Sequence, residues 1–376
     1  MKKRLLAALL CTTLVASLAV GCAEKSDNSG TDSGSKTQTT KTKVGMATDS
    51  GTIDDKSFNQ GTWEGIKKYE TDKGTIESKY LQPKGEQEAD YITAINALID
   101  TDYKIVVTPG FKFETAVNKA ATDHKDTTFI LIDGQTHTAD KPEDFVKHDN
   151  VVCVFFSEQE AGFLAGISAA LSTKTNMLGF IGGAEIPPVQ RYAFGFEAGV
   201  AYANKNLGTK AQIDKTNLVY QGTFNSAPAG QTLAAGMYDK GVDIIFAAAG
   251  GTGVGAFNEA KQRAKSGKPV WVIGVDVDQY NDGVWDDAKT KSITLTSAMK
   301  KIGVAAYDNI DAKLNNKFPG GQVLTLSLKD DGVGIPEKNP NLSADIVAKV
   351  DQAKKDVVSG KISVPKTQDE LNTFLK

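Results

Sequence analysis

From residue 43 onward, short apolar, β-rich runs alternate with amphipathic stretches. The first set of runs is KVGMAT (43–48), IESKYLQ (76–82), KIVVTPG (104–110), TFILIDG (128–134) and NVVCVFF (150–156), with segments such as NQGTWEGIKKYETDK and EADYITAINALID between them. Strands separated by helices of this length predict βαβ units and a parallel sheet. The pattern then restarts with NMLGFIGG (176–183), TNLVYQG (216–222), DIIFAAAGG (243–251) and VWVIGVD (270–276). The fold class expected is therefore α/β, as two doubly wound parallel-sheet lobes joined by a hinge. A first crossover is expected near Ser157 and a return after Asp276, where SITLTSAMKK reads as another strand and helix, with Lys300 beginning the helix. This assigns 43–156 plus 277–315 to lobe 1, and 157–276 plus 320–376 to lobe 2.

The chain begins differently. MKKR is a positive n-region, and the apolar run behind it ends at Gly21 and Cys22. This is the anatomy of a secretory signal peptide, and it resembles a bacterial lipoprotein signal, with Ala19 where leucine is commoner. Residues 1–21 are then the signal peptide and Cys22 the lipidated residue. Residues 22–42, rich in Ser, Thr, Gly, Asp and Lys, form a flexible tether that cannot bury enough surface to fold. The expected location is the cell membrane, lipid-anchored on its extracytoplasmic face. The rival reading is an uncleaved anchor, for which the apolar run is somewhat short. Cys11 leaves with the signal, so Cys153 stands alone in an apolar run and the mature domain has no disulfide to form.

Composition narrows the class. The 376 residues suffice for two ordinary domains, and 40% hydrophobic with 24% charged residues reads as a soluble globular body. A net charge of −3, more negative once Lys2, Lys3 and Arg4 are removed, argues against a nucleic-acid partner.

In open α/β sheets, ligands sit beyond the carboxyl ends of the strands. The tips there are TDSGTIDDKSFN, TPGFKFE, LIDGQ, GGAEIPPVQRYAF, QGTFNSAP, AAAGGTGVGAF, GVDVDQYNDG and TSAMKK. Enzyme readings find little support in them. His124, His137 and His148 lack metal-ligand spacing and read as surface residues. SAMK (297–300) matches S-x-x-K, but neither S-D-N nor K-T-G accompanies it. TIDDKSF lacks the spacing of a calcium loop. GGTGVG (250–255) is neither G-x-G-x-x-G nor a P-loop, and its glycines leave room for a ligand beside the backbone. The expectation is a binding protein, without cofactor or metal and without catalysis.

The tips suit binding. Asp49, Asp133 and Asp276 each end or follow an apolar strand, where a carboxylate can accept paired hydrogen bonds from sugar hydroxyls or base N–H groups. Phe58 beside Asn59 offers a flat apolar face next to an amide, although Phe58 could equally be a hydrophobic staple. In RYAFGF at most one or two of Tyr192, Phe194 and Phe196 can face a cleft. Lys300 could reach a ligand hydroxyl or be solvated.

Taken in order, DSGTIDDKSFNQGTWEG, AAAGGTGVGAF, GVDVDQY and LTSAMKK resemble the basic membrane protein family. These are substrate-binding lipoproteins of ABC importers, among them purine nucleoside receptors. The resemblance covers residues 43 to about 330. It implies a periplasmic-binding-protein-like fold of type I that closes on a nucleoside, with the base between two aromatics, and permease and ATPase subunits as partners of a monomer. By position, Phe58 matches the first aromatic. Asp49, Asn59 and Asp133 match contacts to the base, and Gly250, Asp276 and Lys300 match positions near the ribose. The second aromatic usually follows an arginine; here that slot holds Tyr192, with Phe194 two residues on as the alternative. Rival functions are a sensory or surface lipoprotein that binds a sugar or nucleoside without transport, a nucleoside-processing enzyme, and a serine acylase using Ser297 and Lys300.

Overall fold

The computed structural model describes residues 41–376; the signal segment, Cys22 and nearly all of the tether lie outside the described residues. The strands form two sheets. The first contains β1 (Thr42–Ala47), β2 (Ile76–Leu81), β3 (Ile105–Pro109), β4 (Thr128–Ile132), β5 (Val151–Phe156) and β11 (Gln322–Leu326), in the order β2-β1-β3-β4-β5-β11. The second contains β6 (Met177–Gly182), β7 (Gln212–Tyr220), β8 (Ile244–Ala248), β9 (Trp271–Asp276), β10 (Thr294–Lys300) and β12 (Val333–Gly334), in the order β7-β6-β8-β9-β10-β12. Neighbours are parallel except β10 and β12. Strands such as β3 (IVVTP) and β4 (TFILI) are buried along their whole length, as expected of strands covered on both faces. Both sheets reverse their strand order at equivalent places, β1/β3 and β6/β8, and crevices open at such switch points.

The helices are α1 (Phe58–Lys73), α2 (Glu88–Ile99), α3 (Glu114–Asp123), α4 (Glu158–Ser172), α5 (Pro187–Asn206), α6 (Ala227–Asp239), α7 (Gly250–Lys265), α8 (Ile302–Leu314), α9 (Ala344–Val358) and α10 (Gln368–Phe374). None of them is long and apolar enough to cross a membrane. The pair α4/α5 matters most for the site. Glycines let the two backbones meet: a Cβ on Gly195 would lie 2.0 Å from the Gln159 carbonyl oxygen, and one on Gly166 would lie 2.3 Å from that of Phe196. A side chain there would force the helices apart, and with them Glu158 and Arg191.

Two segments differ from the assignment made from sequence. β10, placed in lobe 1 as part of 277–315, is hydrogen-bonded to β9 in the second sheet. β11, placed in lobe 2 as part of 320–376, pairs with β5 in the first. The alternation of strand and helix does not encode which sheet a strand joins, but burial does. TLTSAMK is buried almost throughout and fits only an interior position, whereas QVLTL is largely exposed and fits an edge. The helix α8 does return to the first lobe, against α1. The chain therefore crosses between sheets three times, at Phe156–Glu158, Lys300–Ile302 and Leu326–Val333. Lys300 is the last residue of a strand rather than the first of a helix.

Candidate ligand-binding site

The loop between β1 and α1 folds around its own acids. Asp55 accepts from the backbone N–H groups of Ser57, Asn59 and Gln60 at 2.9, 2.9 and 3.1 Å, and so caps the free donors at the start of α1. The amide of Asn59 bridges the two acids: Nδ2 donates to Asp49 Oδ1 at 2.8 Å and to Asp55 Oδ2 at 3.0 Å, while Oδ1 accepts from the Asp49 N–H at 3.1 Å. Asp49 Oδ1 also accepts from the Gly51 N–H at 2.8 Å, and its Oδ2 has no hydrogen-bond partner among the described residues. Burial pushes the Asp49 carboxyl up to about 6, against the pull of the Gly51 and Asn59 bonds. Burial likewise raises Asp55, against its backbone and Asn59 bonds. Asp54 is exposed and takes no part. Beside this cradle Gly110 has φ 114°, and a Cβ there would stand 3.1 Å from Asp49 Oδ2, so only glycine leaves that oxygen room.

A second cluster spans the lobes. Asp133 follows β4 and Asp276 ends β9, both with left-handed backbone at φ 58° and 65°, a conformation that costs a non-glycine residue energy and gathers at functional sites. Lys300 is 4% exposed and its ammonium is paired with Asp133, with Glu158 Oε1 at 3.6 Å and Asp276 Oδ1 at 3.7 Å. Burial alone would push this ammonium down, but Asp133, Asp276 and Glu158 outweigh it and lift it. Asp276 Oδ2 accepts from the Ser57 hydroxyl of the first lobe, and Oδ1 accepts from the Tyr192 hydroxyl at 3.3 Å. Burial raises Asp276, against Lys300 and Ser57. Asp133 Oδ1 is buried with no hydrogen-bond partner among the described residues. The Phe58 ring centroid lies 4.6 Å from the Lys300 ammonium. At the rim, Gln279 Nε2 donates to the Lys56 carbonyl at 2.8 Å, and Asn225 Nδ2 donates to the Ser50 carbonyl, so the lobes touch on both sides of the gap.

Between them lies a cleft enclosing about 640 Å³ of atom-free space, part of it open to solvent. Of the residues expected at a site, Asp49, Phe58, Asn59, Asp133, Tyr192, Gly250, Asp276 and Lys300 all line it. Phe194 does not; it packs against the core on the far side of α5. Asn59 is 1% exposed and its amide is engaged by the two acids, so it holds Asp49 in place rather than offering a free edge. Tyr192 is also buried, with its hydroxyl on Asp276. Gly250, at φ 52°, opens α7 against the Phe224 side chain.

Sequence reasoning missed Phe224, Phe111 and Ser57, which also line the cleft. Phe224 is half-buried, and a Cβ on Gly183 would lie 2.3 Å from its ring, so the glycines around it mark its seat. QGTFNSAP was visible as a strand-end tip; its single aromatic was the available signal. His137, expected at the surface, is buried, with Nε2 3.1 Å from Glu114 Oε2 and Nδ1 2.9 Å from the Thr138 carbonyl oxygen. Ser297 is buried too; its Oγ accepts from the Gln279 N–H, and it does not line the cleft. Among the described residues no group of His, Cys, Asp and Glu has the arrangement of a metal site.

Comparison with known proteins agrees with this architecture. The family model described as "ABC transporter substrate-binding protein PnrA-like" matches residues 41–368. The chain is 39% identical to the "CD4+ T-cell-stimulating antigen" of Listeria innocua, covering 97% of this chain and 99% of that one. It is 33% identical, with the same coverage, to the "ABC transporter nucleoside-binding protein BmpA" of Lactococcus lactis. A solved solute-binding protein of an ABC transporter system from Aeropyrum pernix superposes with a TM-score of 0.74, covering 88% of this chain and 96% of that one at 24% identity, which supports the fold. Sequence, two-lobed architecture and interlobe cleft together place this chain in the PnrA-like family of ABC transporter substrate-binding proteins.

Proposed function

We propose that this substrate-binding protein captures a nucleoside, a purine nucleoside first among them, and presents it as a monomer to the permease and ATPase of an importer. It does so from the extracytoplasmic face of the cell membrane, held there by a lipid on Cys22. The observation that carries the ligand class is the buried Asp133 Oδ1, an acceptor with no protein partner in the same cleft as the half-buried Phe58 ring. A buried carboxylate oxygen left unpaired is costly, and an N–H or O–H of a flat heterocycle or its sugar would satisfy it. Asp49 Oδ2 offers a second acceptor, and Phe58 and Phe224 supply aromatic surface on the two lobes. The charges of the site argue against phosphorylated ligands: Lys300, the cation lining the cleft among the described residues, is on a carboxylate, and a phosphate would meet the remaining acids. The naming of the Lactococcus relative as nucleoside-binding supports the same reading.

A closing cleft also suits delivery. Expelling water strengthens each polar contact, and only contacts better made in the closed form shift the open–closed balance that a permease can sense. The test is calorimetry of the purified protein with guanosine, inosine, adenosine, cytidine, the free bases, the corresponding monophosphates, ribose and arabinose. Saturable binding of a nucleoside, with its monophosphate at least about tenfold weaker, is expected. Binding of sugars alone would overturn the nucleoside assignment. Release of free base at enzyme-like rates would overturn the receptor role.

A further inference from the structure

Lys300 carries one of the contacts that join the lobes, and a further acceptor waits behind it. Glu158 is fully buried at the start of α4, immediately after the first crossover. Its Oε2 accepts from Arg191 Nε at 2.7 Å, while its Oε1 is buried without a hydrogen-bond partner, 3.6 Å from the Lys300 ammonium. The three carboxylates near Lys300 do not move together. Asp133 belongs to the first lobe, at the end of β4. Glu158 packs with the second lobe, since α4 lies on β10 and α5, and Lys300 ends β10 itself. Parting the lobes draws Asp133 away from Lys300 and leaves Glu158 beside it, together with Asp276 at the end of the neighbouring β9.

We propose that Glu158 is a positioning residue for closure: it takes the Lys300 ammonium when the lobes part and yields it to Asp133 when they meet, with Arg191 holding it short of a full grip. A buried ammonium that loses its closest partner is costly, so further acceptors on its own lobe, Glu158 with Asp276, lower the energy of the open form. In the closed form, Glu158 faces Asp133 across the shared ammonium, and the two like charges oppose each other. Both effects give Glu158 the same sign, favouring the open state. Arg191 acts in the opposite sense, since it occupies Oε2 and offsets part of the charge. Neither Glu158 nor Arg191 lines the cleft. Their influence on affinity passes through Lys300 and the population of the closed form.

The test compares ligand-free wild type, Glu158→Gln and Arg191→Gln by small-angle X-ray scattering, and then measures their affinity for guanosine. Glu158→Gln is expected to shift the ligand-free population toward the compact form and to tighten binding about threefold or more, while Arg191→Gln shifts it toward the extended form and weakens binding by a similar factor. Arg191→Lys, which keeps the cation, restores wild-type behaviour. Opposite signs are what distinguishes a switch from damaged packing, which would move both variants the same way. Shifts of the same sign, or no shift in either, would overturn the proposal. If Glu158→Gln does not fold, Glu158→Asp, which keeps the charge on a shorter arm, is expected to shift in the same direction by less. The scattering is read without any nucleoside, so a wrong ligand assignment and a wrong role for Glu158 give different results.

Discussion

Two acidic clusters face the same cleft, and they are stabilised in opposite ways. Around Asn59, Asp49 and Asp55 are held by an amide and by backbone N–H groups, all drawn from residues 49–60 of one lobe. Around Lys300, Asp133, Asp276 and Glu158 are held by cations and hydroxyls brought from both lobes. The first cluster is complete whether the lobes are open or shut. The second exists as drawn only when they meet. On the proposed function, one region would read the ligand from a fixed frame, and the other would report that closure has happened. A ligand shifts the balance only through differential contacts, so the second cluster is where binding becomes a signal.

Removing Lys300 should break that contrast most severely. Lys300→Met preserves the volume of the stem but leaves Glu158 with Arg191, and Asp133 and Asp276 with no ion-pair partner among the described residues. Deleting one partner of a buried ion cluster costs about 3–5 kcal/mol. A large drop in melting temperature at pH 7.5 is expected, with loss of guanosine binding. The deficit should narrow as the pH falls and Asp276 and Glu158, both raised chiefly by burial, take up protons. An unchanged melting temperature would mean that the cluster is solvated in the ligand-free protein. Asn59→Ala is the matching cut in the other cluster. It removes the bridge between Asp49 and Asp55 but no charge, and a milder loss of stability of about 1–3 kcal/mol is expected, nearly independent of pH between 7 and 9.

Next in size are the ligand contacts. Phe58→Ala and Asp276→Ala should each weaken nucleoside binding by at least about tenfold, the equivalent of roughly 1–3 kcal/mol for a stacked or charged contact. Phe224→Ala should match Phe58→Ala if each lobe supplies one aromatic face. Phe194→Ala should leave affinity unchanged, because that ring packs on the core. Equal losses at Phe194 and Phe224 would return the second aromatic to the slot that sequence reasoning had considered. Calorimetry with guanosine separates these outcomes.

The same contrast explains how much could be read from the chain. The Asn59 cluster was legible because its parts are adjacent: TIDDKSFN shows the acids, the aromatic and the amide in one turn. What could not be seen was that Asn59 spends its hydrogen bonds on its neighbours, since that depends on side-chain geometry. The Lys300 cluster was half legible. Asp133, Asp276 and Lys300 stand at strand ends, where the α/β rule points. Glu158 was not singled out and Arg191 served only to mark the slot of Tyr192; the glycine-mediated approach of α4 and α5 brings the two together. Strand and helix order was legible except for the two-residue β12 and the short terminal α10. The destinations of β10 and β11 were not, because alternation carries no address and the sheet edge is decided by burial on both faces.

The subtlest expectation concerns Asp49, which belongs to the fixed frame and should titrate within it. Its carboxyl is raised to about 6 from an ordinary value of 3.8, chiefly by burial. A raised folded value means that the folded protein holds this proton more tightly than the unfolded chain does. The associated stability is present in full below the unfolded value and is lost as the pH rises through about 6. Ligand-free Asp49→Asn should therefore be slightly more stable than wild type at pH 7.5, with the advantage vanishing toward pH 4. Binding should show the opposite trend. A ligand N–H needs an acceptor, so ionised Asp49 binds better than protonated Asp49, and affinity should rise between pH 5 and pH 7. In Asp49→Asn the rise should flatten. Were the rise to persist undiminished in the variant, the titrating group would lie in the Lys300 cluster, and the division between a fixed reader and a closure sensor would have to be redrawn with both roles on one side.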